Sequence, residues 1–201
     1  VNRRLATLDI NRTPAALSRP AYQVVAELTG AADPYAADKR RHNQFVLDRY
    51  EHLKSLLDAA PNRLHRALQL AVAGNVIDLG IGVAFDIDRE IERVLKAGFA
   101  RDDSADLEAE LAAGPKRILY MLDNAGEAVF DKLLIEELSA HQVTACVRGG
   151  PIINDVTIDD ARQIGLTDVC RVITTGSNAV GVEWAETGDD LKEAFATADL
   201  I

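Results

Sequence analysis

Acidic and amide side chains follow two apolar runs in the second half of this sequence of 201 residues. Asp123 and Asn124 come directly after the first run, and Asp155 comes a few residues after the second. Their carboxylate and amide oxygens are hard ligands, which suit Mg²⁺, Mn²⁺ or a similar ion and leave positions open for water or a substrate oxygen. A closed zinc site is not expected, because both cysteines lie in apolar runs and no His-x-x-x-His pair is present. The pattern therefore predicts one divalent-cation site.

Glycines accompany these acids and suggest an anion beside the cation. Gly126 follows Asp123 closely, and Gly149 comes directly after Arg148. Residues without a side chain would let backbone N–H groups approach an anion. Together these features predict a phosphate site, in which Arg148 would hold further phosphate oxygens. Glu127 would contact the cation ligands and orient them without binding the cation itself.

Simpler structural explanations of the same residues stay open. Asp and Asn before a helix are ordinary N-cap residues, Thr157 and Asp160 have the spacing of a capping box, and Gly149-Gly150-Pro151 is typical of a turn. Asn75 and Asp78 lie in an apolar stretch, where buried polar groups need partners. Capping of a helix end is the alternative for this pair.

The elements that would position these residues are strands and helices in alternation. Four apolar runs begin 25, 26 and 29 residues apart, with helical patterns between them. This spacing predicts βαβ crossovers and a parallel sheet that is covered on both faces. The predicted strands are Ile118–Leu122, Val143–Val147, Val169–Thr174 and Ala198–Ile201. Ligands of open parallel sheets bind at the carboxyl ends of the strands, where the candidate residues lie.

The first half of the chain has the spacing of helices and no strand alternation before about residue 116. One long amphipathic helix is predicted from Asp33-Pro34 to residue 60, and a further helix is predicted to end near Gly74. The predicted fold is α/β: a helical N-terminal region, residues 1–114, followed by a Rossmann-like three-layer αβα unit with a mainly parallel sheet, residues 115–201. The final apolar run has no turn residue after it, so the native chain is expected to continue.

The charge balance argues against some partners. The chain has 22 Lys and Arg against 32 Asp and Glu, a net charge of −10, and we expect no nucleic-acid partner because phosphate neutralisation supplies most non-specific affinity. The densest basic run, Lys39-Arg40-Arg41-His42, is interpreted as a solvated helix face, with a local anion contact as the alternative. No apolar run approaches the roughly 20 residues of a membrane span, and no leader is visible. Cys146 and Cys170 are interpreted as core residues, so we expect a cytoplasmic protein without a membrane partner.

Three motifs, in their order along the chain, are more specific than any single residue. They are Gly74-Asn75-Val76-Ile77-Asp78, Asp123-Asn124-Ala125-Gly126-Glu127, and Arg148-Gly149-Gly150-Pro151-Ile152-Ile153-Asn154-Asp155-Val156-Thr157. These motifs resemble those of the metal-dependent damage-control phosphatases, the family long called domain of unknown function eighty-nine. The resemblance covers nearly the whole chain and is closest to the compact archaeal and bacterial branch, which also shares Asn11-Arg12-Thr13-Pro14 and Asp33-Pro34-Tyr35.

The resemblance implies a helical region on an αβα core with one divalent metal ion, Mn²⁺, Co²⁺, Ni²⁺ or Mg²⁺. Asp123, Asn124 and Asp155 would be the metal ligands, and Asn75 and Asp78 would face the same cleft. Members hydrolyse phosphate esters such as sugar phosphates or damaged phosphorylated metabolites. The family's Cys-x-x-Cys segment is not found before Val1, and its Lys-Gly loop, thought to contact phosphate, is not found after Ile201. We therefore expect the chain as given to lack part of the catalytic machinery.

The predicted function is a metal-dependent phosphatase that hydrolyses phosphate monoesters of small phosphorylated metabolites. Asp123 and Asp155 are the candidate catalytic groups, and the sequence does not decide which is base or nucleophile. The candidate substrate contacts are Asn75, Asp78, Gly126, Glu127, Arg148 and Gly149. A regulatory module that binds metal or metabolite without turnover is the alternative. A carboxyl methyltransferase is less favoured, because no glycine-rich loop follows the first strand. The oligomeric state is not predicted.

Overall fold

The computed structural model describes residues 13–76 and 87–201, so that Asp78 and the Asn11-Arg12 part of the N-terminal motif lie outside the described residues. Within these ranges, helices precede the first strand, as predicted. They are α1 (Pro14–Thr29), α2 (Ala36–Leu47), α3 (Tyr50–Asp58), α4 (Arg63–Val76), α5 (Ile87–Ala97) and α6 (Ser104–Ala112). The remaining elements are β1 (Arg117–Met121), α7 (Glu127–Glu137), β2 (Gln142–Val147), α8 (Ile158–Gln163), β3 (Arg171–Thr174) and α9 (Asp189–Thr197). Short 3₁₀ turns lie at Leu166–Asp168 and Trp184–Glu186.

In the part of the chain that the structure describes, three parallel strands form the sheet in the order β1-β2-β3. The predicted fourth strand, Ala198–Ile201, is reduced to one parallel bridge between Leu200 and Ile118, on the edge of β1 that faces away from β2. The backbone N–H of Leu119 donates to Leu200 O at 3.0 Å. After β3 the chain therefore returns past β2 to the far edge of β1. Such a reversal of strand order is where open α/β sheets bind their ligands.

Both faces of the sheet are covered, which confirms the predicted three-layer α/β class. Ile118 and Ala145 belong to the larger core, together with residues of α7 and of α2 to α6. Leu119 and Cys146, on the other face, form a smaller cluster with Leu191 of α9. The larger core runs without a break from the helical region into the α/β unit. The division at residues 114 and 115 stays a prediction.

Two helices replace the single one predicted between residues 33 and 60. The backbone N–H of Arg49 donates to Val46 O, three residues back, at 2.9 Å. The Arg49 guanidinium donates from Nη1 to the carbonyl oxygen of Phe45, also at 2.9 Å. The side chain thus occupies the acceptor that an unbroken helix would use for its backbone. The chain turns at Asp48 and Arg49 before α3 begins.

Helix α4 also differs from its prediction, since it continues past Gly74 to Val76. A Cβ at Gly74 would lie 2.9 Å from Cδ2 of Phe130 on α7. Gly74 therefore lets α4 and α7 approach each other closely, which brings the end of α4 to the start of α7. Within the described ranges every helix falls short of the length and apolar character that crossing a membrane requires.

Candidate functional site

The loops that follow β1 and β2 are joined through their backbones. Val156 N–H donates to Asp123 O at 2.8 Å, and Ala125 N–H donates to Asn154 O at 2.8 Å. Asn124 and Asp155 form an isolated antiparallel bridge between the same loops. The two predicted metal-binding motifs therefore adjoin, as expected for residues at the carboxyl ends of neighbouring parallel strands.

The Arg148 guanidinium brings the two predicted acids together. Its Nε donates to Asp155 Oδ2 at 2.5 Å, and its Nη2 lies 3.4 Å from Asp123 Oδ1. Its Nη1 donates to Gly181 O at 2.8 Å. Arg148 and Asp155 are buried, whereas 54% of the Asp123 side chain is exposed. Burial raises the pKa of Asp155, and the adjacent Arg148 charge opposes that rise.

Two amide groups hold Glu127, the first residue of α7. Asn124 Nδ2 lies 3.1 Å from Asp123 Oδ2 and 3.3 Å from Glu127 Oε2, so its amide connects two carboxylates. Asn75, in the last turn of α4, donates from Nδ2 to Glu127 Oε1 at 3.1 Å. Burial raises the pKa of Glu127, and both amide donors oppose that rise. Asn75 thus reaches across to the site, which the capping alternative did not anticipate.

The donor set fits a cation that prefers oxygen. Asp123, Asn124 and Asp155 carry two carboxylates and one amide oxygen on adjoining loops, which are the ligand types that Mg²⁺ and Mn²⁺ take in proteins. Asp155 would share its charge between such a cation and Arg148. Across residues 13–76 and 87–201, no group of three or more His, Cys, Asp and Glu side chains is arranged to hold a metal ion. The predicted site therefore depends on its amide ligand, and the metal assignment stays a prediction.

The two glycines of the site have roles other than the expected one. Gly126 has a φ of 88°, and its N–H donates to Asn43 Oδ1 at 2.7 Å. Gly149 N–H donates to Ser177 O at 2.9 Å, and a Cβ there would lie 2.5 Å from Ser177 N. Both N–H groups are already bonded within the chain, so the idea that they are open to an anion is wrong for this structure. Their assignment as substrate contacts stays a prediction.

A cavity of about 820 Å³ adjoins the site on the β1 side. Asn75, Asp123 and Glu127 line it, so Asn75 does share a cleft with Asp123, as the family resemblance implies. Apolar side chains make up much of its wall, among them Leu68, Val72, Phe99, Leu107, Met121 and Ile201. Its volume is in the range of small-molecule sites, about 300–1,000 Å³.

A half-buried tyrosine and a buried aspartate, which the sequence analysis missed, also line this cavity. Tyr120 OH donates to Asp131 Oδ1 at 2.6 Å. Burial raises the pKa of Asp131 to about 7 and raises that of Tyr120 as well. Asp131 follows Glu127 by four residues, which places both on one face of α7. From this spacing the sequence could have indicated that Asp131 lies near the site.

Lys39 corrects the interpretation of the basic run as a solvated face. Arg40 and Arg41 are exposed, but Lys39 is only 1% exposed. Its Nζ lies 2.8 Å from Asp33 Oδ2 and 2.7 Å from Asp160 Oδ2. The predicted capping box is confirmed, because Asp160 Oδ2 also accepts the N–H of Thr157 at 2.9 Å.

The buried face of α2 gave a signal for Lys39 that the sequence analysis did not use. Lys39, Asn43 and Val46 are its buried residues, spaced by four and three along the helix. An apolar face traced backwards from Val46 would have included both polar residues.

The sheet is parallel and covered on both faces, and acids and amides follow the carboxyl ends of two of its strands. These features define a Rossmann-like α/β protein whose candidate site lies at those strand ends. Residues 1–201 match the family model described as the damage-control phosphatase ARMT1-like domain, and the chain belongs to that family. This confirms the family that the three motifs predicted.

Three relatives with 31–34% sequence identity agree with this membership. A damage-control phosphatase from Pyrococcus horikoshii is 34% identical over 95% of this chain and 67% of its own length. A damage-control phosphatase from Archaeoglobus fulgidus is 31% identical over 93% of this chain and 66% of its own. An uncharacterized protein from Methanocaldococcus jannaschii is 32% identical over 94% of this chain and 64% of its own. The chain thus spans about two thirds of the length of these relatives.

A solved structure shows the same fold. The crystal structure of a DUF89 family protein from Pyrococcus horikoshii superposes with a TM-score of 0.84 at 32% identity. The match covers 99% of this chain and 70% of that one. Two relatives bear the name damage-control phosphatase, and these names support a phosphatase function in the family.

Proposed function

We propose that this protein hydrolyses phosphate monoesters of small metabolites and that one bound divalent cation supports the reaction. The observation that carries the proposal is the meeting of Asp123 and Asp155 on the Arg148 guanidinium, at the carboxyl ends of β1 and β2. Family membership supports the phosphatase class. The oxygen donor set supports the metal dependence.

Asp123, Asn124 and Asp155 are the residues that would hold the cation. When bound, a divalent ion supplies Lewis-acid neutralisation of phosphate charge and lowers the pKa of a coordinated water. Asp123 is half exposed and lines the cavity, so we assign it the direct contact with the substrate or the attacking water. Asp155 is buried on Arg148, so we assign it a holding role.

The remaining side chains divide between the substrate and the acids. Asn75 and Glu127 line the cavity beside Asp123 and would contact the organic part of a small phosphorylated metabolite. Arg148 neutralises the acids, with its three nitrogens already donating within the chain. These bonds use three of the five guanidinium N–H groups, so its predicted contact with phosphate would use the second N–H of Nη1 or Nη2.

Release of phosphate from p-nitrophenyl phosphate by the full-length protein tests the proposal. We expect turnover with Mn²⁺, loss of turnover in EDTA, and recovery when excess Mn²⁺ is added back. Asp123→Asn should abolish turnover, because the variant loses a charge at the half-exposed edge of the site. Asp159→Asn is the matched control: its carboxylate is 86% exposed and pairs with Arg162 at the surface, so its turnover should equal that of the unchanged protein.

Two results would reject parts of this proposal. Full turnover in protein shown to be free of metal would reject the metal dependence while leaving the phosphatase assignment. Thermal stabilisation by Mn²⁺ and a sugar phosphate, without any phosphate release by the full-length protein, would instead favour the non-catalytic regulatory module.

We also propose a cytoplasmic location. Cys146 is buried and Cys170 is half-buried, and both are free thiols, which is usual for proteins kept in a reducing compartment. Fractionation of cells that make the protein at its natural level would test this location.

A further inference from the structure

Helix α2 sends one buried polar side chain to each of the two loops that form the site. Asn43 is fully buried, and its Oδ1 accepts the N–H of Gly126 in the loop after β1 at 2.7 Å. Lys39, one turn earlier, reaches the loop after β2, where its Nζ lies 3.5 Å from Asp155 O. A single helix from the helical region therefore contacts both metal-binding motifs.

Burial makes these contacts costly to lose. A buried ammonium requires ionic partners, and Lys39 has Asp33 at 2.8 Å and Asp160 at 2.7 Å. Asp160 is also the residue that caps α8 through Thr157, two residues after Asp155. The ion pair of Lys39 with Asp160 thus fixes the segment that carries Asp155, and it does so from outside the sheet.

Asn43 fixes the loop after β1 through a direct hydrogen bond. Gly126 stands at the N-terminus of α7, where backbone N–H groups need acceptors from outside the helix. Asn43 provides one, while its Nδ2 donates to Gln163 Oε1 at 3.0 Å. Asn43 thereby connects the start of α7 to the end of α8.

We propose that α2 is the positioning element of the site, in which Lys39 and Asn43 set the loop of Asp123 and Asn124 against the loop of Asp155. Both are positioning residues and touch neither cation nor substrate. The proposal rests on the proposed function only for its kinetic readout, since the order of the two loops is measurable without turnover. Misplacement of reacting groups by about 1 Å costs on the order of 100-fold in rate.

The first experiment compares three variants of one hydrogen-bond chain. Asn43→Leu removes the acceptor for Gly126 N–H, and we expect kcat to fall about 10- to 100-fold with a smaller change in KM. Asn43→Asp keeps an acceptor oxygen facing Gly126 and should restore most of the rate. Gln163→Ala removes the exposed partner of Asn43 and the contact of that side chain with Arg40 O, but leaves Gly126 N–H bonded to Asn43, and should leave kcat unchanged.

The second experiment measures amide hydrogen exchange in the same variants, without metal or substrate. In Asn43→Leu the amides of Gly126, Ala125 and Val156 should exchange about tenfold faster, because local opening becomes easier. The amide of Ala145, within β2, should keep its rate. Asn43→Ser, whose shorter side chain ends before Gly126 but keeps a polar atom, gives the same comparison if Asn43→Leu fails to fold.

A third comparison addresses Lys39. Lys39→Met should lower kcat about 10- to 100-fold and should speed exchange at Val156 and Thr157. Arg41→Met, on the exposed face of the same helix, is its control: the Arg41 side chain is 70% exposed and pairs with Asp38 at the surface, so both readouts should stay near those of the unchanged protein.

The outcomes separate this inference from the proposed function. If the unchanged protein releases no phosphate, the proposed function fails, and the exchange rates alone decide the role of α2. Unchanged exchange at Gly126 and Val156 in folded Asn43 variants would overturn the inference. An equal loss of kcat in Asn43→Leu, Asn43→Asp and Gln163→Ala would also overturn it, since that pattern indicates general destabilisation.

Discussion

Arg148 and Asp155 form a buried ion pair, in which Nε of the guanidinium lies 2.5 Å from Oδ2 of the carboxylate. Arg148 is 9% exposed and Asp155 is 6% exposed. Because both residues belong to the loop that follows β2, the guanidinium and one of the candidate metal ligands come from the same eight-residue stretch, residues 148–155. Each charge depends on the other for its burial.

Arg148→Met should destabilise the protein by about 3–5 kcal/mol, because it leaves the Asp155 carboxylate buried without its cation. Urea denaturation at pH 7 measures the change. Arg162→Met removes an exposed guanidinium that pairs with Asp159 and should change the free energy of unfolding by less than about 0.5 kcal/mol. Equal effects of the two substitutions would contradict the importance of the buried pair.

Gly149→Ala should destabilise the protein by about 1–3 kcal/mol, since overpacking against backbone forces a shift. The new Cβ would lie 2.5 Å from Ser177 N and 2.6 Å from the carbonyl carbon of Gly176. Gly150→Ala is the neighbouring control, because the nearest atom to its Cβ would be the Asn178 Cβ at 3.2 Å. Thermal unfolding of the two variants checks the difference, and a Gly150 variant as unstable as the Gly149 variant would refute this account.

Asn75 should affect turnover through Glu127. Asn75→Ala removes one of the two amide donors to that carboxylate, and we expect a loss of about 3- to 10-fold in kcat/KM, which corresponds to about one hydrogen bond. Asn75→Asp should lose more, since it would set a second carboxylate against Glu127. Gln44→Ala, which breaks an exposed amide–carboxylate contact with Asp48, is the control. A higher kcat/KM for Asn75→Asp than for Asn75→Ala in steady-state assays would disprove the role of the hydrogen bond between Asn75 and Glu127.

Hydrophobic periodicity was sufficient to predict the first two strands of the sheet. The first two predicted strands lie within one residue of β1 and β2, because each depends only on a run of apolar residues. β3 starts later than predicted, at Arg171, because the N–H groups of Val169 and Cys170 both donate to Leu166 O and prolong a turn. Turns of this kind depend on hydrogen bonds that the apolar pattern does not show.

The site was predictable where topology alone decides it. Asp123 and Asp155 meet because strand ends of a parallel sheet adjoin, and that follows from the alternation of elements. The burial of Lys39 was not predictable from its basic neighbours, because its partner Asp160 lies 121 residues away in the sequence. The bonded N–H groups of Gly126 and Gly149 were missed for the same reason: Asn43 and Ser177 come from distant segments.

Asp131 should make the stability of the protein depend on pH. Its pKa in the folded state is about 7, raised from 3.8 mainly by burial, so the folded protein binds this proton more tightly than the unfolded chain does. The resulting stabilisation is fully present below about pH 4 and is lost as the pH rises through 7. Asp131→Asn stays neutral and can still accept the hydrogen bond from Tyr120. Relative to the unchanged protein, it should therefore gain roughly 2–4 kcal/mol between pH 4 and pH 8.

Urea denaturation at intervals from pH 4 to pH 8, in EDTA, measures this difference between the variant and the unchanged protein. Subtraction removes the contribution of the other titrating groups, because they are common to both proteins. A difference that does not vary with pH would mean that the Asp131 carboxyl is already ionised in the folded state at pH 5, and that the hydrogen bond from Tyr120 outweighs the cost of its burial.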